Sequence, residues 1–173
     1  ITELFDLARL DFEGYRIDAE PVQLGELARD VAQKLTLAAQ TREVELQLEI
    51  EPELGLARAD IGLIERTLTN LLENALAHTP AGGRIVLAVR EQDDDARVLL
   101  RVSDNGSGIA ADDLPRIFER FYRADNKART RDDKGSGLGL AIVKRIVELH
   151  GSEIRVDSAV DRGTSVGFDL PLV

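Results

Sequence analysis

Apolar residues recur along this chain with two periods, and the switching between them outlines a domain. From Leu24, positions 24, 27, 28, 31, 35 and 38 fall on one face of a helix. A second helix is predicted from about Ile61 to Leu76, with Ile61, Ile64, Leu68, Leu71, Leu72 and Ala75 on its apolar side. A third occupies "LGLAIVKRIVELH" and ends at His150-Gly151. Between the helices the period drops to two. "VELQLEI" alternates as a strand does, "RIVLAVRE" and "ARVLLRVSD" flank the acidic turn "QDDD" as an antiparallel pair, and "EIRVDS" and "TSVGFDLPL" close the chain. A short helix is predicted around 113 to 122. Strands clustered with helices between them predict an α+β layer structure, one mixed and largely antiparallel sheet with helices on one face.

The opening "ITELFDLARLDFEG" repeats apolar residues at Ile1, Phe5, Ala8 and Phe12 with no capping residue ahead of them, and Gly14 and Pro21 then break the pattern. Residues 1–16 read as the end of a longer helical element, and 17–173 as the compact domain.

Composition narrows the function classes. A chain of 173 residues with 43% apolar content can bury one core and carry a short appendage. No run approaches the roughly 18 uninterrupted apolar residues of a membrane span, so no direct membrane contact is expected. Without cysteine, disulfides and thiolate metal sites are excluded, which is consistent with a reducing compartment; two histidines are too few for a structural zinc site. A net charge of −10 argues against a nucleic-acid surface. One segment reverses that charge. From Arg116 to Lys134 there are seven basic residues (Arg116, Arg120, Arg123, Lys127, Arg129, Arg131, Lys134) and four acidic ones (Glu119, Asp125, Asp132, Asp133).

Three short patterns carry possible chemistry. Asn70 and Asn74 in "TLTNLLENALAHTP" are one helical turn apart, and amide oxygens suit Mg²⁺, although exposed helix polars have the same spacing. "SDNGSGI" sets Asp104 at a strand end before Gly106 and Gly108, either an acceptor for an exocyclic amine or a plain Asp-Asn-Gly turn. "KGSGLGLAIVK" places Gly135, Gly137 and Gly139 against a helix start, where free N–H groups and the helix dipole favour phosphate. The same stretch also fits a hinge with a cap, and it matches neither the P-loop nor the dinucleotide fingerprint.

Taken in order, "NLLENALAHTP", "DNGSGI", "IFERFYRAD", "GSGLGLAIVKRIVELHG" and "GTSVGFDLP" resemble the Asn box, first glycine box, Phe box, second glycine box and last glycine motif of the catalytic, ATP-binding domain of bacterial sensor histidine kinases, members of the GHKL superfamily. The resemblance covers residues 20–173. It implies a Bergerat-type α/β sandwich in which Asn74, helped by Asn70, holds Mg²⁺ against ATP. It implies further that Asp104 reads the adenine amine, with Gly106, Gly108, Ile109 and Thr164 around the base. Phe118, Phe121 and Tyr122 would anchor a lid over residues 124–134, and Gly135, Ser136, Gly137, Leu138, Gly139 and Leu140 would meet the phosphates. Arg123, and after it Arg120, would offset charge during phosphoryl transfer.

Hydrolysing relatives similar to gyrase and Hsp90 carry a water-activating Glu one turn before the metal Asn. Here that position is Asn70, which favours transfer to a protein over hydrolysis. The Lys that many members place three residues after the metal Asn is Ala77, leaving Lys127, Arg129 and Arg131 as alternative phosphate contacts. No phosphoacceptor signature is present, and His78 and His150 read as packing or capping residues. The resemblance therefore implies an upstream dimerisation domain bearing the acceptor His, with residues 1–16 as the end of its second helix. It also implies a homodimeric parent, a response regulator receiver domain as partner, and a cytoplasmic location for this part of a membrane-anchored protein. Two rival readings are a non-catalytic ATP-sensing module and a GHKL protein-serine kinase.

Overall fold

The computed structural model describes residues 2–123 and 136–173. In chain order the elements are α1 (Thr2–Leu10), β1 (Glu20–Val22), α2 (Leu24–Thr41), β2 (Glu45–Ile50), β3 (Ala57–Ala59), α3 (Ile61–His78), β4 (Arg84–Gln92), β5 (Arg97–Asp104), α4 (Gly139–Leu149), β6 (Arg155–Ser158) and β7 (Thr164–Pro171). The five-stranded sheet runs β2-β4-β5-β7-β6. Only β2 and β4 are parallel. That pairing needs a crossover, and α3 lies within it.

Side chains alternate across the sheet, so the register sorts residues into rows. On the core face one row reads Ile50, Val89, Leu100, Phe168, and the next reads Leu48, Leu87, Val102, Val166, Val156. Phe168, Leu87 and Val89 are fully enclosed, each such side chain stabilising the fold by about 1.5–3 kcal/mol. The row at the sheet's end is different: Leu46 and Ile85 are followed by Asp104, Thr164 and Ser158. The apolar face turns polar on three adjacent strands.

Helices α2, α3 and α4 contribute Val31, Leu35, Ile64, Leu68, Leu72, Ile142 and Ile146 to the same core. Their starts use local chemistry. Gln23 caps α2 by accepting the Gly25 N–H at 3.1 Å, and Asp60 caps α3 by accepting the Leu63 N–H at 3.3 Å.

The structure departs from the sequence reading in several places. The predicted helix at 113–122 is a single 3-10 turn, Leu114–Arg116: Pro115 sits at its start, and the Asp113 carboxylate takes the Tyr122 hydroxyl instead of capping the backbone. On α2, Ala39 is buried and Ala38 exposed, and on α3 Ile61 is 52% exposed because it precedes the packed stripe. Strands β1 and β3 form a small separate antiparallel sheet whose three-residue runs are too short for a period to register. The parallel pairing of β2 leaves no local trace either. Finally, Phe5 and Phe12, which marked the first helix, are 73% and 70% exposed, whereas Leu7 and Leu10 are buried in the common core.

Helix α1 is thus fastened to the domain. Asp6 pairs with Arg66 of α3 at 2.7 Å, Arg145 of α4 meets Asp11 at 3.2 Å and donates to the Leu10 carbonyl at 3.0 Å, and Arg120 also pairs with Asp11.

Candidate nucleotide site

The polar end of the sheet is assembled by two interlocked loops. Asp104 ends β5, and its Oδ1 accepts the Gly106 N–H at 2.9 Å; the Thr164 N–H donates to the same carboxylate. Burial pushes this carboxyl above its ordinary value, and the two N–H groups pull it back. A Cβ on Gly106 would lie 2.2 Å from the His78 carbonyl oxygen, one on Gly108 1.9 Å from Ala159 O, and one on Gly163 2.0 Å from Asp104 O. The 104–109 loop is therefore pressed against the end of α3 on one side and the 159–163 turn on the other. The Ser107 N–H donates to His78 O at 3.3 Å and the Asp161 N–H to Ser107 O at 2.8 Å. Ile109 is fixed through its N–H to Ser158 Oγ at 2.8 Å.

Helix α3 brings in the amides. Asn70 and Asn74 are both half-buried, and Asn70 Nδ2 approaches the Gly139 carbonyl at 3.4 Å, which places it at the start of α4. The Asn74 side chain has no hydrogen-bond partner among the described residues, and no cluster of three His, Cys, Asp or Glu exists among them. A half-buried, unpartnered amide oxygen fits Mg²⁺, which takes one or two protein oxygens and completes its shell with phosphates and water. Glu73 points to α1 instead: partial burial and the nearby Glu3 carboxylate raise its pKa.

At the start of α4, Ser136 Oγ accepts the Leu138 N–H at 3.2 Å and donates to Glu3. Gly137 adopts φ +75 beside the Phe121 backbone, and its carbonyl accepts the Phe121 N–H at 3.0 Å, so the Phe-containing segment is tied to the glycine turn. Gly139 and Leu140 open the helix, where the first N–H groups lack intrahelical partners.

The anchoring of 117–123 differs from expectation. Ile117 is the buried residue at 7% exposure, Phe118 is half-buried, and Phe121 is 60% exposed with φ +63. Tyr122 is held by polar contacts, its hydroxyl on Asp113 and its ring 4.5 Å from the Arg116 guanidinium. Arg123 is exposed, and Arg120 is engaged by Asp11. Gly135 and the lid residues 124–134, with Lys127, Arg129, Arg131 and Lys134, lie outside the described residues.

His150 is a clasp, as a capping role requires. Its Nδ1 donates to Ile146 O at 2.8 Å, leaving Nε2 to accept the Asp60 N–H at 3.0 Å, and burial lowers its pKa. Ser158 and Gly163 were missed as site residues; Ser158 had one signal, a polar residue in the apolar phase of "EIRVDS".

This arrangement, a strand-end carboxylate, an amide pair on one helix and a glycine turn opening another, has counterparts in known proteins. The family described as histidine kinase-, DNA gyrase B-, and HSP90-like ATPase matches residues 59–173. The chain belongs to this ATPase family. It is 40% identical over 166 residues to sensor protein kinase PmrB of Pseudomonas aeruginosa, covering 95% of this chain and 33% of PmrB. It is 32% identical over 171 residues to sensor histidine kinase WalK of Bacillus subtilis, covering 99% of this chain and 28% of WalK. The chain thus spans about a third or less of these relatives. Among solved structures, full-length ShkA in complex with AMPPNP superposes with a TM-score of 0.87 at 30% identity, over 99% of this chain and 35% of ShkA. The mycobacterial sensor histidine kinase MprB gives 0.73 at 31%, over 89% of this chain and 97% of that one. The ATPase fold seen here is that of histidine kinase catalytic domains. No helix among the described residues is long and apolar enough to cross a membrane.

Proposed function

We propose that this chain binds Mg-ATP and transfers the γ-phosphoryl group to a histidine on an upstream dimerisation domain, for relay to an aspartate of a response regulator. The observation that carries this reading is that the Asp104–Thr164 sheet end meets the end of α3 through Gly106 and Ser107 on the His78 carbonyl, while Asn70 of the same helix meets the start of α4, with an amide and no carboxylate at position 70. Asp104, accepting from two N–H groups as a carboxylate does, would take the adenine amine. Gly106, Gly108, Ile109 and Thr164 surround that position. Asn74 and Asn70 would hold Mg²⁺, which when bound offsets charge on the phosphate oxygens. Ser136, Gly137, Leu138, Gly139 and Leu140 offer backbone N–H groups to those phosphates.

In the transfer, the bond from γ-phosphorus to the β–γ bridging oxygen breaks, a phosphorus–nitrogen bond to the acceptor imidazole forms, and ADP leaves. Position 70 supplies no general base for water, so hydrolysis lacks its activator. Arg123, which follows the Phe-containing segment, would offset charge on the moving group, and after it Arg120, which here pairs with Asp11. The same reading makes residues 1–16 the end of a dimerisation helix, the parent a homodimer anchored in the membrane, and this part cytoplasmic.

Calorimetric titration with a non-hydrolysable ATP analogue, with and without Mg²⁺, tests the site. Affinity should fall at least about tenfold in Asp104→Ala, where a hydrogen bond to a charged group is lost, and Mg²⁺ dependence should vanish in Asn74→Ala. With a supplied dimerisation domain, Arg123→Ala should lose phosphate transfer while keeping ATP affinity. Transfer undiminished in that variant would remove Arg123 from the chemistry, binding without any transfer would point to an ATP sensor, and a serine product to a protein-serine kinase.

A further inference from the structure

The inward stripe of α1 mixes acids with leucines. Glu3, Asp6, Leu7 and Leu10, with Asp11 just past the helix end, recur three and four residues apart; both leucines are buried and all three acids half-buried. Two of the acids face guanidinium groups. Asp6 meets Arg66 of α3 at 2.7 Å, and Asp11 meets Arg145 of α4 at 3.2 Å and also pairs with Arg120. Among the described residues Glu3 faces no cation. Its carboxylate accepts the Ser136 hydroxyl hydrogen ahead of α4, and the same Ser136 oxygen accepts the Leu138 N–H at 3.2 Å. Its charged neighbour is an acid, Glu73 of α3, whose pKa is raised by burial and after that by the Glu3 charge. What favours the Glu3 carboxylate there is a hydroxyl beside the N-terminus of α4, an end that attracts any anion.

We infer that Glu3 makes an autoinhibitory contact at the phosphate end of the site: its carboxylate occupies the Ser136 hydroxyl that a nucleotide phosphate would take, so the two anions compete. The inference rests on the reading of the glycine turn and the start of α4 as the phosphate cradle. A serine hydroxyl has one hydrogen, and while Glu3 holds it no phosphate oxygen can. A phosphate at the first N–H groups of α4 would also add negative charge next to Glu3 and Glu73, and like charges at close range repel. By linkage the penalty is mutual, and bound polyphosphate weakens the Glu3 contact by the same factor. A ligand without phosphate pays nothing.

The test is calorimetric titration of the 173-residue chain and of Glu3→Ala with adenosine and with a non-hydrolysable ATP analogue plus Mg²⁺. Glu13→Ala, which removes an exposed acid just beyond α1, controls for net charge. Glu3→Ala should bind the ATP analogue about fivefold more tightly, the worth of one ordinary hydrogen bond. Adenosine affinity should not change, and Glu13→Ala should match the parent. In a Ser136→Ala background, Glu3→Ala should lose most of its gain, because the contested hydroxyl is gone. A full gain in that background, or an equal gain from Glu13→Ala, would mean long-range charge and overturn the inference. So would adenosine tightening as much as the analogue, or weaker analogue binding by Glu3→Ala, which would make Glu3 a helper of the phosphates or of Mg²⁺. Asp104→Ala separates the two levels. If neither the parent nor Glu3→Ala binds the analogue, or if Asp104→Ala binds it as the parent does, the nucleotide-site reading falls and this inference with it. Analogue affinity lost in Asp104→Ala but unchanged in Glu3→Ala would overturn the inference alone.

Discussion

At the sheet end of the cleft, Gly106, Gly108 and Gly163 each leave less than 2.3 Å between a notional Cβ and a backbone carbonyl oxygen. At the helix end, a Cβ on Gly139 would meet nothing nearer than Asn70 Cγ at 4.0 Å, an ordinary contact. The first set is demanded by the protein's own packing. Gly139 is not, and in a helix it even costs about 0.5–1 kcal/mol relative to Ala. On the function proposed above, the bare backbone at Gly139 would let phosphate approach, so that the sheet end would be built before nucleotide arrives and the start of α4 completed by it.

The sharpest way to break this contrast is Gly108→Ala. The new methyl would meet Ala159 O at 1.9 Å, on a backbone with φ +71 that L residues rarely adopt. Stability should fall by about 2–3 kcal/mol or more, as expected for combined backbone strain and a clash with main chain. Denaturant unfolding measures it. A loss under about 0.5 kcal/mol, the range of an ordinary surface change, would mean that the two loops can separate freely and that the sheet end is not preformed.

Gly139→Ala should do the reverse. Unfolding stability should hold or rise by up to about 1 kcal/mol, while affinity for an ATP analogue falls and affinity for adenosine alone does not. If adenosine and ATP weaken together, Gly139 is not a phosphate residue, and the division of labour between the two ends fails.

The same contrast explains what could be read in advance. The sheet end was legible because it violates a pattern: Val98, Leu100 and Val102 predict an apolar residue at 104, and the chain supplies Asp104. Ser158 breaks the phase set by Ile154 and Val156 in the same way, but a polar residue at the end of an edge strand carries no chemistry until the register sets it beside Thr164. The helices and the antiparallel pairs announced themselves by period. The parallel β2–β4 pairing and the β1–β3 sheet did not, since both depend on partners distant in sequence. Tyr122 was expected to anchor through its ring's apolar surface, whereas Asp113 and Arg116 hold it. Arg120 was expected at the phosphates; its pairing with Asp11 depends on α1 folding back over α4, which no local signal records.

The smallest expected effect concerns protons, and it has opposite sign at two places in the fold. Burial raises the Asp104 pKa, so between the unfolded value of 3.8 and its higher native value the folded chain holds the extra proton. Its contribution to stability is present below 3.8 and is lost as pH rises through the native value. His150, at the other end of α4 from Gly139, has its pKa lowered by burial below 6.5. There the unfolded chain holds the extra proton, and stability falls as pH drops from 6.5 towards the native value, because a protonated Nε2 can no longer accept the Asp60 N–H at the cap of α3. Denaturation midpoints measured in steps from pH 4 to 8 should therefore lose their downward slope just below pH 6.5 in His150→Gln, with the Asp104 slope unchanged. An identical slope in parent and variant would show that His150 does not report the α3–α4 clasp. ADP affinity should be indifferent to His150→Gln above pH 6.5 and should weaken on acidification at a pH above that of an ordinary aspartate, because only the ionised carboxylate is acceptor-only. The base end is then the part of the site that acid disables, while the clasp of the two helices changes how firmly the scaffold holds it.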